Sequence, residues 1–277
     1  MDNKDEEELA RLIALSGIRE ASSSLLGAYA SRFKGEGLEY AELEEYGDGC
    51  DSRGIQWPLS MRKGRLLVKK YEEERQKALV LGVDVSMSMR LLKGSFDTCL
   101  SAVSLLGGCA ALCGDAAGML LFGEEYEKEV PFGRGARQAR RMLSRLLRAF
   151  PHKPGTALCA MLQRLCAYPA IGMNVVIISD LMDAGYGDAL RRLACRHDVL
   201  VCQIEHDCGE LAAGLEVSDA ESGAIARLGM DFRKKTQAFM DASRDAVLSS
   251  GASHAILKGG EPALQPLLMY FRRRMRR

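Results

Sequence analysis

The sequence has no CxxC pair, no basic start followed by an apolar run, no internal repeat and no low-complexity segment. Each absence removes a class of protein. Nine cysteines without paired spacing do not make a zinc ribbon, and Cys109 and Cys113, four apart, have no second pair to join. Without an export signal those cysteines read as reduced, mostly buried thiols, and the expected location is the cytoplasm. The sequence also lacks a GxxxxGK[ST] phosphate loop and a GxSxG nucleophile elbow, so two common routes to phosphoryl and acyl chemistry are missing. Excess charge of one sign is absent too: the net charge is +1, which gives the whole molecule no pull toward nucleic acid or anionic lipid. Charge is local instead, with acids from Asp2 to Glu8 and arginines from Arg272 to Arg277.

What is present is enough for a core. The 277 residues are 47% hydrophobic and 27% charged, which suits one large domain or one domain with an appendage. The longest apolar stretch, Leu100 to Phe122, is broken by Gly107, Gly108, Gly114 and Gly118. Asp115 at a bilayer centre would cost about 3 kcal/mol. The stretch therefore predicts a buried helix, a turn at Cys113-Gly114-Asp115 and a buried strand, and no membrane span.

Periodicity changes along the chain. Asp5 to Gly17 reads as helix, and Ser22 to Trp57 as an extended or loop-rich region docking on the main domain. Residues 1–75 thus form an N-terminal leader and residues 76–277 the main domain. From Gln76 onward strand-like and helical runs alternate: KALVLGVDV, Leu91 to Cys113, AGMLLFG, Lys128 to Pro131, Arg137 to Phe150, Ala157 to Cys166, NVVIISD, Ala189 to Cys195 and DVLVCQI. This alternation predicts an α/β fold, a doubly wound, mostly parallel sheet with helices on both faces. A hairpin is expected over Leu215 to Leu228 with its turn at Asp219 to Gly223. Beyond it the sequence predicts a helix over Asp231 to Leu248, a strand HAILK and a last helix after Pro262.

In such a sheet ligands bind beyond the carboxyl ends of strands. Three of those ends carry hard oxygen ligands: Asp84-Val85-Ser86-Met87-Ser88, Gly155-Thr156 and Asp180. Alternate residues of an extended loop point the same way, so Asp84, Ser86 and Ser88 can face one point. Carboxylates and hydroxyls suit Mg²⁺, Mn²⁺ or Ca²⁺ and not soft metals. Two acids balance a divalent charge, and hydroxyls add ligands without adding charge. Taken singly, each piece has a plainer reading: DxSxS and Thr156 as helix caps, Asp180 as a solvated strand-end acid.

DVSMS, then GT, then SD resembles the metal-ion-dependent adhesion site of von Willebrand factor A domains. The resemblance makes Asp84, Ser86, Ser88, Thr156 and Asp180 the five metal positions and Mg²⁺ the expected ion. EYAELEEYGDGCDSRGIQW, VKKYEEER, SDAESG and YFRRR are similar to a bacterial von Willebrand factor A-like family known mainly as a domain of unknown function. Its members are often encoded beside MoxR-type AAA+ ATPases. The resemblance covers about Ser31 to Arg274 and implies a Rossmann-like sheet and a metal-dependent protein-binding role. The implied partners are a MoxR-type ATPase and a client that offers an acidic side chain. The leader departs from the family pattern at Glu44, Cys50-Asp51 and Gln56, so contacts made there are expected to differ.

Two other readings compete. A metal-assisted phosphoester hydrolase uses similar sites, but no second aspartate stands two residues after Asp84, as in haloacid dehalogenase-type enzymes. Nucleic-acid or membrane-surface binding through FRRRMRR competes with a solvated helix end that suits the helix dipole. Trp57, the only tryptophan, reads as a pin for the leader. His152 and Lys153 lie close enough in sequence to Thr156 to line the mouth of a site.

Overall fold

The computed structural model describes residues 3–34, 43–47, 55–69, 78–92, 94–124, 126–149, 155–205, 216–218, 225–227 and 230–274. The chain divides into two units, Met1–Phe33 with Lys77–Arg277, and Lys34–Gln76. The expected leader is thereby split, its first helices belonging with the sheet.

Helix α1 (Asn3–Glu20) runs past the expected end at Gly17, through one wide π-type turn at Ala21–Leu25, into α2 (Leu26–Lys34). Ala10, Ala14, Ala21, Leu25, Ala28 and Tyr29 are buried, a stripe at helical spacing. Ser22 and Ser23, expected in an extended or loop-rich region, are helical, and their hydroxyls turn back on the preceding turn. Ser22 donates to the Arg19 carbonyl at 2.8 Å and Ser23 to the Glu20 carbonyl at 3.0 Å.

The smaller unit pairs β1 (Leu43–Glu45) antiparallel with β2 (Leu67–Lys69), with α3 (Trp57–Lys63) between them. Pro58 sits in the first turn of α3, and Gly64 ends the helix at φ 65°. The Leu67 amide donates to the buried Ser60 hydroxyl at 2.9 Å, which ties helix to strand. Trp57 lies at the start of α3, near Met61 and Leu66.

The larger unit is built on β3 (Leu79–Asp84), β4 (Ala117–Phe122), β5 (Tyr126–Gly133), β6 (Asn174–Ser179) and β7 (Asp198–Glu205). A separate short pair comes next, β8 (Glu216–Ser218) with β9 (Ile225–Arg227), and then β10 (Ser253–Lys258). The main sheet has the order β10-β7-β6-β3-β4-β5 and is parallel except for β5, antiparallel at one edge. The hairpin expected near Leu215 is the β8–β9 pair, and its turn at Asp219 to Gly223 lies outside the described residues.

Helices α4 (Met87–Leu91), α5 (Ser95–Cys113), α6 (Gly135–Leu147), α7 (Leu158–Cys166), α8 (Gly187–Ala194), α9 (Met230–Ser249) and α10 (Leu264–Arg274) complete the unit. The central strands are buried throughout, as runs covered on both faces must be. Leu79, Leu81 and Val83 pack with α1, α5, α6 and α10 on one face. Val80 joins α7 and α8 on the other. Gly82 leaves room there, since a Cβ would stand 3.0 Å from the end of Met161.

Helix α5 is long and apolar enough to cross a membrane, and 67% of its most apolar window is buried inside the fold. Its outer side is closed by α1. At Gly17 a Cβ would lie 1.9 Å from Ser104 Oγ, and at Gly108 one would lie 2.9 Å from the Gly17 carbonyl oxygen. Ser104 Oγ donates to the Ile13 carbonyl at 2.8 Å, so the two helices touch backbone to backbone. At the other end of the chain, Phe271 is fully buried edge-on to Tyr29, while Arg272 and Arg273 are exposed.

Candidate metal centre

Strand β3 lies between β6 and β4, so the chain order reverses direction at β3. Crevices form at such points, beyond the carboxyl ends of the strands. Asp84 ends β3, and Asp180 comes directly after the last residue of β6. Their side chains are fully buried, as is that of Ser86, and Ser88 is 2% exposed.

These groups form one bonded cluster. Ser88 Oγ donates to Asp180 Oδ2 at 2.6 Å. The hydroxyls of Ser86 and Ser88 stand 3.1 Å apart. The Ser86 amide donates to Asp84 Oδ1 at 2.8 Å, folding the loop around the carboxylate. The expected alternative, a capping turn, is not what the serines do: Ser86 is the N-cap of α4, yet its side chain makes no cap hydrogen bond. The N-cap of α7 is Ala157 and not Thr156.

Thr156 stands at the neighbouring strand end. The Ala157 amide donates to the carbonyl of Gly123, just past β4, and the Val85 amide donates to Phe122 at 2.8 Å. Both loops are thus pinned to the end of one strand. Gly155 has φ 129°, a conformation open to glycine, and a Cβ there would meet Glu124 at 3.3 Å. The structure therefore joins Asp84, Ser86, Ser88 and Asp180 directly and places half-buried Thr156 on the adjacent loop. His152 and Lys153 lie outside the described residues.

Electrostatics make the cluster costly as it stands. Burial, and next the charge of Asp180, push the Asp84 carboxyl up to about 8, against the pull of hydrogen bonds from Ser179 and Ser86. Ser179 was not singled out by sequence reasoning. Its fully buried hydroxyl donates to Asp84 Oδ2 and accepts the Leu181 amide at 2.9 Å. A serine at the end of an apolar strand gave the only signal. The turn beyond is tight. Leu181 has φ 60°, alone among the described non-glycine residues in being positive. The Met182 amide donates back to Asp180 Oδ1 at 3.1 Å. A second residue missed is Arg90 of α4. Its guanidinium donates to the carbonyls of Leu146 and Ala149, at the end of α6, and covers the Phe96 ring.

Among the described residues no three His, Cys, Asp or Glu come together as a metal-binding group. The cluster pairs two acids with hydroxyls, a set suited to a hard cation.

Residues 42–247 match the family described as "Protein of unknown function DUF58". The chain belongs to this family. No curated protein matches the DUF58 chain. Among solved structures it is similar to BatB from Bacteroides thetaiotaomicron, with 16% identity and a TM-score of 0.49 over 72% of this chain and 98% of that one. An aerotolerance-related membrane protein from Bacteroides fragilis matches with 14% identity and a TM-score of 0.44 over 71% and 99% of the two chains. A von Willebrand factor type A protein from Catenulispora acidiphila matches with 16% identity and a TM-score of 0.39 over 72% and 42%. The Bacteroides fragilis neighbour is a membrane protein, which runs against the expected cytoplasmic location, an expectation drawn from the lack of an export signal and from the unpaired cysteines.

Proposed function

We propose that this DUF58 chain is a metal-ion-dependent protein-binding module, with one divalent ion held by Asp84, Ser86, Ser88, Thr156 and Asp180. The observation that carries the reading is a pair of fully buried carboxylates, hydrogen-bonded to serine hydroxyls, at the point where the sheet reverses direction. A divalent cation offsets two negative charges that burial otherwise penalises. The donor set fits such an ion: a serine that donates its proton to a carboxylate keeps its oxygen lone pairs for the metal. Mg²⁺ is the proposed ion, with Mn²⁺ and Ca²⁺ taking the same ligands. Its role is to accept a carboxylate from a partner protein. The hydroxyls of Ser88 and Ser179 hold Asp180 and Asp84 in place. The sequence resemblance adds a MoxR-type AAA+ ATPase as the proposed partner and an acidic client as the group recognised.

The test is a thermal melt in EDTA, Mg²⁺, Mn²⁺ and Ca²⁺, for wild type and Asp84→Ala. Metal at 100 times its dissociation constant stabilises by about 2.7 kcal/mol, roughly 5–10 °C for a domain of this size. Wild type should shift and the variant should not. Equal curves for both, together with no heat of binding at millimolar metal, would defeat the proposal. If the shift appears, capture of the ATPase should depend on metal.

A further inference from the structure

A groove of about 730 Å³ runs between α6 and the edge strand β5, far richer in charge than the rest of the molecule. Arg134, Arg137, Arg140, Arg141, Arg145 and Arg148 line it. From Arg134 to Arg148 there is no lysine, aspartate or glutamate. Helix α6 therefore has no acid at the i±4 positions that usually balance such a face. Arg137, Arg140, Arg141 and Arg145 make no hydrogen bond or ion pair among the described residues. The groove's own acids are engaged: Glu129 takes the Tyr168 hydroxyl at 2.6 Å and Arg164 at 3.5 Å.

We infer that this groove docks an acidic peptide segment of a protein partner. The fold itself shows the chemistry at one end. Arg148 holds Glu6 at 3.1 Å and Glu7 at 3.3 Å, two carboxylates offered by the first turns of α1. Arg137, Arg141 and Arg145 continue from there at steps of four residues, about 6 Å apart along the helix. Alternate side chains of an extended peptide recur at roughly 6.6 Å, so successive acids can meet successive arginines. Arginine in place of lysine suits planar, bidentate carboxylate recognition. The ligand is read through its side chains and does not join the sheet, because Pro131 and two register shifts interrupt the β5 edge. A concave, bounded trough also fits a peptide better than a flat bilayer, and the +1 net charge of the chain offers no broad field for nucleic acid.

The experiment is fluorescence anisotropy on the full chain in EDTA, so that the ion site plays no part. The probe is a labelled 12-residue peptide of alternating glutamate and serine. Its glutamine counterpart, single-stranded DNA of similar length and vesicles of anionic phospholipid are the comparison arms. The glutamate peptide should bind and weaken with salt, and the glutamine peptide should not bind. Arg137→Glu with Arg141→Glu should weaken binding at least tenfold at an unchanged melting temperature, and Arg137→Gln with Arg141→Gln should weaken it less. Arg272→Glu with Arg273→Glu should leave it unchanged. The inference fails if the peptide does not bind, if charge reversal on α6 has no effect, or if DNA or vesicles bind more tightly through the same arginines.

Discussion

Consider the chain titrated with Mn²⁺ at a series of pH values from 5.5 to 9. Asp84 holds its proton up to about pH 8 in the metal-free fold, and an ion bound there must displace it. Apparent affinity should therefore rise about tenfold per pH unit below 8 and level off above it, one proton being released for each ion. In EDTA the sign is opposite. The folded-state pKa lies above the unfolded value of about 3.9, so between the two the folded state binds more protons and loses stability as pH rises. The slope is about 1.4 kcal/mol per pH unit, or roughly 3–6 °C per unit for a domain of this size. Other groups titrate in the same window, so Asp84→Asn is the reference: it keeps the shape and removes the proton. In EDTA wild type should lose ground to this variant steadily from pH 5 to 8, and the variant should ignore Mn²⁺ throughout. Calorimetric titration reads the affinity and scanning fluorimetry the melts. A flat Mn²⁺ affinity between pH 6 and 8, with parallel melts for the two proteins, would refute the argument that burial and Asp180 hold the proton on Asp84.

Three further outcomes rest on named contacts. Ser179→Ala removes the hydrogen bond that lowers the Asp84 pKa; ion affinity should fall about tenfold, the usual cost of losing an outer partner, and the pH midpoint of binding should move up. Gly17→Ala places a methyl on the Ser104 hydroxyl and backbone; overpacking of this kind costs about 1–3 kcal/mol, read as a lower melting temperature with ion affinity unchanged. Leu181→Gly relieves a left-handed backbone worth about 1–2 kcal/mol but removes a side chain that is 1% exposed, worth about 3–5 kcal/mol. The cavity outweighs the strain, so chemical denaturation should show a net loss.

Much of the main unit was legible because period and burial agree. VVIIS fits a strand covered on both sides, and the Gly114 break between α5 and β4 stood in the sequence. Asp84, Ser86, Ser88 and Asp180 were legible as a group because the fold class fixes where strand ends meet. Other features depend on atoms brought from afar. Ser22 and Ser23 lie in a stretch of weak periodicity, where helix is supported by the burial of Ala21, Leu25 and Tyr29 in the core. Ser179 matters through its place beside Asp84 across the sheet, which spacing along the chain does not reveal. Arg90 reaches carbonyls more than fifty positions away. The arginines of α6 read as one polar face of an amphipathic helix. That the face borders a trough depends on where β5 lies.

The backbone contact between α1 and α5 also bears on how the chain is made. Synthesis delivers α1 before α5, so the segment that closes the most apolar helix is already part of the chain when that helix emerges. Had the order been reversed, a segment apolar enough to enter a bilayer would wait uncovered while the rest was translated. The small residues Gly17, Ser104 and Gly108 thus let α1 lie close enough to keep the outer side of α5 against protein.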